Sequence, residues 1–151
     1  MTSNSRGRTL IGGAAVTIVV LAGFTLVHYR NAHARQEQVR TIGADWRQRG
    51  LLSQQDYVRL HASQDTVVQT HTLSDKELDW LLATMEHSPS PIVHARVLGI
   101  LATMANPPAS QKERINTAIV PLLQSRNALD SHYALRVQRK LGLSTTTPRP
   151  L

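Results

Sequence analysis

The chain of 151 residues carries a formal net charge of +7, no cysteine and only 4% aromatic residues. Without cysteine it has no disulfide framework, thiolate zinc site, thiol nucleophile or lipidated cysteine. The length leaves room for one modest domain beside a targeting segment, which excludes a multidomain enzyme.

Charge is unevenly spread along the chain. Residues 1–50 hold seven arginines against Glu37 and Asp45, a balance of +5, whereas residues 51–151 hold ten basic and eight acidic side chains, a balance of +2. A nucleic-acid-binding domain concentrates its cations on the folded part, so this distribution disfavours nucleic acid as a partner. Residues 1–9 read as a basic tail carrying Arg6 and Arg8. Leu10–Val27 follows as an uncharged run of 18 residues, polar only at Thr17 and Thr25. As a helix of about 1.5 Å per residue it approaches the ~30 Å hydrocarbon thickness of a bilayer. The sequence therefore predicts a transmembrane signal-anchor over 10–28, with Leu10, Val16, Val20, Phe24 and Val27 in lipid. A cleaved signal peptide is the competing reading, since Ala32-His33-Ala34 has the small-x-small form of a cleavage site. The length of the apolar run and Arg30 inside the would-be cleavage region favour retention. Basic residues flank both sides, and the short basic start favours the amino terminus inside and the domain outside. Gly13 and Thr17 supply one small-xxx-small pair, which leaves a homo-oligomer open.

Residues 29–50 lack proline and read as a helical stalk emerging from the bilayer. Arg30, Arg35 and Arg40 stand five residues apart, about 140° of rotation per step, so they form a collar around the stalk suited to an anionic surface. After Gly50, Ser53 and Asp56 mark the start of a short helix ending at Leu60, and Asp65–Thr72 reads as a connecting loop. Ser74-Asp75-Lys76-Glu77 is a capping box, and Leu78, Leu81, Leu82 and Met85 then fall on one stripe. Ser90-Pro91 opens the next helix, carrying Val93, Val97, Ile100, Leu101 and Met104 up to Asn106-Pro107-Pro108. After Ser110 the stripe is Ile115, Ala118, Ile119, Leu122 and Leu123, with Pro121 near the end. Asn127 or Asp130 caps a last helix carrying Leu129, Tyr133, Val137 and Leu141, which closes at Gly142. The tail 144–151 is expected to be disordered.

An internal repeat emerges when these helices are overlaid. Leu78, Leu81, Leu82 and Met85 map onto Ile115, Ala118, Ile119 and Leu122 at an offset of 37. Ala95, Leu98 and Ala102 map onto Ala134, Val137 and Leu141 at an offset of 39. Two helical hairpins at that period, over residues 74–142, resemble HEAT or armadillo-like repeats. Val93-His94-Ala95-Arg96-Val97-Leu98-Gly99-Ile100-Leu101 is similar to the inner helix of such a repeat, with His94 where the family usually places arginine and no aspartate before it. The resemblance implies an all-α scaffold without catalysis; a generic four- or five-helix bundle is the alternative.

No catalytic constellation accompanies this pattern. After residue 28 the four glycines, Gly43, Gly50, Gly99 and Gly142, are isolated, so neither a phosphate-cradling loop nor a nucleophile elbow is available. The seven histidines lack zinc-ligand spacing, and stacked helices would hold His94 and His132 roughly 8–10 Å apart, too far for one ion. Asp75, Glu77 and Asp79 suit the positive end of a helix dipole. No cofactor, metal or catalytic residue is expected. Trp80 lies off the apolar stripe and is the one candidate partner contact. Taken together, the sequence predicts a single-pass membrane protein presenting a small all-α protein-interaction module, an accessory subunit of a membrane complex being one form of it. Its partners would be the lipid bilayer and another protein. The rival is an anionic-lipid or polyanion binder acting through Arg30, Arg35 and Arg40.

Overall fold

The computed structural model describes residues 30–143. Leu10, Val16, Val20, Phe24 and Val27, the basic tail 1–9 and the tail 144–151 lie outside the described residues. Among those described, all regular structure is helical and there is no strand. Residues 30–48 form α1. Then come α2 (Gln54–Thr70), α3 (Asp75–His87), α4 (Pro91–Leu101), α5 (Ala109–Leu123) and α6 (Ala128–Leu141).

One expectation is overturned. Among the described residues no helix is long and apolar enough to cross a membrane, which conflicts with a single-pass localisation and with the topology built on it. Helices α2 to α6 have 17, 13, 11, 15 and 14 residues, below the ~20 that span a bilayer. The described part of α1 is interrupted by Arg30, Arg35, Glu37, Arg40, Asp45 and Arg47.

The chain divides into two compact units, Met1–Thr41 and Ile42–Leu151. Described residues of the first are helical and almost wholly exposed. In the second, Trp46 packs on Tyr57 with ring centroids 4.9 Å apart, and Gly43 is buried beside the same tyrosine. A Cβ at Gly43 would come within 3.1 Å of Tyr57 Cδ1, so any larger residue there asks the tyrosine ring to give by a few tenths of an ångström.

Helix α2 is longer than its start signal implied. Ser53 caps it, accepting from Asp56 N, but the segment 65–70 expected as loop continues the helix. Tyr57, Leu60, Ser63 and Val67 form its buried line, and the β-branched Thr66 and Thr70 return their hydroxyls to the carbonyls of Ala62 and Thr66. His71, in the left-handed region, ends it.

Expected boundaries of the later helices hold closely except at the end of α4, which stops at Leu101 and leaves the buried Met104 in the loop before Asn106. Ser74 caps α3 by accepting from Glu77 N, Pro91 occupies the first turn of α4, and Asn127 Oδ1 accepts from Leu129 N and Asp130 N at the head of α6. Gly142, at φ +63°, closes α6. Two stripes are rotated from expectation. In α3, Leu78, Leu81 and Met85 are buried while Leu82 is half-buried at the edge. In α6 the buried line is Asp130, Ala134, Val137 and Leu141, leaving Leu129 40% exposed.

Helix α4, with Val93, Val97, Leu98, Ile100 and Leu101 all buried, is the centre of the core. It packs against α2, α3 and α6, and α5 packs against α3 and α6. Thus α2, α4 and α6 form one series of neighbours and α3 and α5 another, joined through the hairpins α3–α4 and α5–α6. Each fully buried leucine or isoleucine here contributes roughly 1.5–3 kcal/mol of burial energy. Loops are stitched to the helices by Ala105 N donating to His71 O at 2.9 Å and by the buried Gln111 side chain donating to Leu73 O at 3.2 Å.

Candidate functional site

The most enclosed polar arrangement lies where the two hairpins meet. His94, in the first turn of α4, places Nδ1 3.0 Å from Asp130 Oδ1 and Nε2 2.7 Å from the Ser88 carbonyl. The two side chains are only 13% and 8% exposed. Ser125 Oγ donates to Asp130 Oδ2 at 3.2 Å and accepts from Asn127 N at 3.1 Å. Both His94 nitrogens therefore face acceptor oxygens. In the sequence Asp130 reads as a helix cap and this pairing is not visible, because the partner lies 36 residues from His94. Asp130 precedes Ala134 by four and Val137 by seven, so its position on the buried face was the available signal.

A second cluster joins α2 and α3. Arg59 donates to Glu77 through Nη2 at 3.0 Å and Nε at 3.4 Å, and Ser63 Oγ donates to the same carboxylate. Burial works against the charged Glu77, but the hydrogen bonds from Arg59 and Ser63 outweigh it and hold the carboxyl below its ordinary pKa. Glu77 thus turns to α2, while its amide meets the Ser74 cap. Trp80 is half-buried, with the Arg59 guanidinium 4.2 Å from its ring centroid and its flank on a cavity of about 460 Å³ shared with Leu52 and His87. Asp75 and Asp79 both meet Arg114 of α5. The acidic first turn of α3 is therefore engaged in ion pairs between helices.

Arg30, Arg35 and Arg40 are exposed on α1, and Arg40 lies 3.6 Å from Glu37. No cluster of three or more metal-ligating side chains occurs among the described residues.

Two further cavities are formed by the helix packing. The larger, about 710 Å³, lies between α3 and α5 over Leu82, Met85, Ala118 and Leu122, with Glu86 and Glu113 on its rim. Its two basic side chains are already engaged, Arg114 by Asp75 and Asp79 and His94 by Asp130. The smaller, about 420 Å³, crosses α2, α4 and α6. Gln64, Ile92, Arg96, Gly99, Tyr133 and Arg136 line it, with Trp46 at one edge. Gln64 Oε1 is buried without a hydrogen-bond partner among the described residues. Among the described residues neither Arg96 nor Arg136 meets a carboxylate within ion-pair distance.

No family model matches the sequence, and no curated protein or solved structure matches it either.

Proposed function

We propose that the chain is a non-catalytic protein-interaction module of stacked helical hairpins, similar in plan to HEAT repeats, whose binding face is the groove across α2, α4 and α6. The observation that carries this reading is that three helices separated in sequence contribute to one open groove whose two arginines meet no carboxylate among the described residues. The serial packing of α2, α4 and α6 supports the repeat-like plan, because each hairpin of a solenoid adds one helix to a shared binding surface. The polyanion reading through Arg30, Arg35 and Arg40 draws less support, since Arg40 is already beside Glu37.

A photo-crosslinking side chain placed at Ile92, which is 40% exposed in the groove, tests the reading against one placed at Thr117 in the cavity between α3 and α5. The expected result is a discrete protein adduct from position 92 that survives nuclease and is absent from position 117. An adduct from position 117 alone, or material removed by nuclease, contradicts the assignment.

A further inference from the structure

Resting on that reading, we infer that the groove across α2, α4 and α6 takes an acidic peptide segment of a partner protein, its carboxylates held by Arg96 and Arg136 and its backbone lying over Gly99. Two independent features of the groove converge on this occupant.

The first is charge. Arg96 on α4 and Arg136 on α6 are 40 positions apart and line the same groove. Adjacent helix axes are about 8–10 Å apart, and same-side residues of an extended peptide repeat every ~6.6–6.8 Å, within the reach of two long guanidinium side chains. Guanidinium groups receive carboxylates in paired, charge-assisted hydrogen bonds. The domain's own carboxylates do not supply them: Asp75 and Asp79 are held by Arg114, Glu77 by Arg59 and Asp130 by His94.

The second is Gly99. A glycine inside a helix costs about 1 kcal/mol relative to alanine and is normally kept for a positive φ or a close approach. Gly99 has neither, since among the described residues the positive-φ glycines are Gly50 and Gly142, and a Cβ built at Gly99 meets no heavy atom within 4 Å outside its own helical turn. The space that its missing side chain leaves is the groove itself.

A nucleic acid fits less well, because Trp46, the larger aromatic of the groove, is already packed at a tilt against Tyr57 and the lining also includes the apolar Ile92, Ala95 and Gly99.

The test selects phage-displayed 12-residue random peptides on the full chain, with counter-selection on the Gly99→Leu variant, whose added side chain occupies the groove. Thermal melting checks that the variant remains folded, and the Arg96→Gln, Arg136→Gln double variant provides a second, surface-directed block. Peptides enriched in Asp and Glu, lost on Gly99→Leu and weakened at least about tenfold by the double arginine change, are the expected result. Their binding should also weaken with added salt. Peptides lost on Gly99→Leu but indifferent to the arginines overturn the acidic occupant and leave the interaction module standing. Peptides indifferent to both variants overturn the groove as the binding face. Displacement of the selected peptides by oligo-dT as readily as by free peptide, or self-association abolished by Gly99→Leu, overturns the proposal in favour of nucleic acid or a second copy.

Discussion

Removing the Asp130 carboxylate should destabilise the domain more than any other single polar change, because the group is both buried and doubly bonded. Asp130→Ala deletes a charge-assisted hydrogen bond with His94 at 3.0 Å, worth roughly 1.5–3 kcal/mol, and an ordinary one with Ser125 at 3.2 Å, worth about 1 kcal/mol. It also leaves a His94 ring nitrogen, in a side chain only 13% exposed, without an acceptor. The expected loss is therefore about 3–4 kcal/mol, within the ~3–5 kcal/mol typical of a buried pair broken on one side. Set against a domain stability of about 5–15 kcal/mol, this is a large fraction. Urea unfolding of the full chain, followed by helical circular dichroism, measures it. A double-mutant cycle with His94→Ala isolates the pair and should return a coupling of roughly 1.5–3 kcal/mol. Asp130→Ala within ~0.5 kcal/mol of the parent, a change typical of plain surface sites, would refute the argument, and so would a coupling near zero.

Other expectations follow from the same packing and electrostatics. Leu101→Ala and Leu81→Ala, at fully buried positions, should each cost about 2–5 kcal/mol in urea unfolding, and the half-buried Leu82→Ala distinctly less. Equal losses at positions 81 and 82 would place the α3 stripe in the wrong rotation. Glu77 has a folded pKa below its unfolded value of about 4.3, so its contribution is fully present above roughly pH 5 and is lost as pH falls through the folded pKa. Glu77→Gln should accordingly be less stable than the parent at pH 7, with the gap narrowing below pH ~4; a constant gap across that range contradicts the ion-pair account. Gly99→Ala should raise stability by up to about 1 kcal/mol, since the new methyl meets nothing and the helix gains propensity. A loss of stability there would mean that the domain itself needs the glycine.

Local signals in the sequence carried the helix boundaries but not the contacts between helices. Ser74, Pro91, Asn127 and Gly142 marked their helix ends because caps, N1 prolines and left-handed glycines act through neighbours within one turn. The end of α2 was not legible, since Thr66, Val67, Val68 and Thr70 favour extended structure locally and are held helical by burial of Val67 and by hydroxyl bonds to the preceding turn. Hydrophobicity alone runs the α6 stripe through Leu129 and Tyr133, whereas a buried aspartate occupies the true line, satisfied by His94 from α4. Trp80 was legible as lying off the core stripe, and the Arg59 guanidinium covering it was not. Arg96 and Arg136 gave no signal in isolation. Only the packing of α4 beside α6 brings them to one groove, where their lack of carboxylate partners becomes informative.

The most direct test of the binding face is nuclear magnetic resonance of the isotope-labelled full chain, titrated with a synthetic peptide of alternating glutamate and leucine. Shifts should concentrate on the Gly99 amide, the Arg96 and Arg136 Nε–H groups and the Gln64 side chain, and should disappear in Gly99→Leu. Shifts confined to Arg30, Arg35 and Arg40, or to residues around Thr117 between α3 and α5, would contradict the assignment of the α2, α4 and α6 groove as the interaction surface.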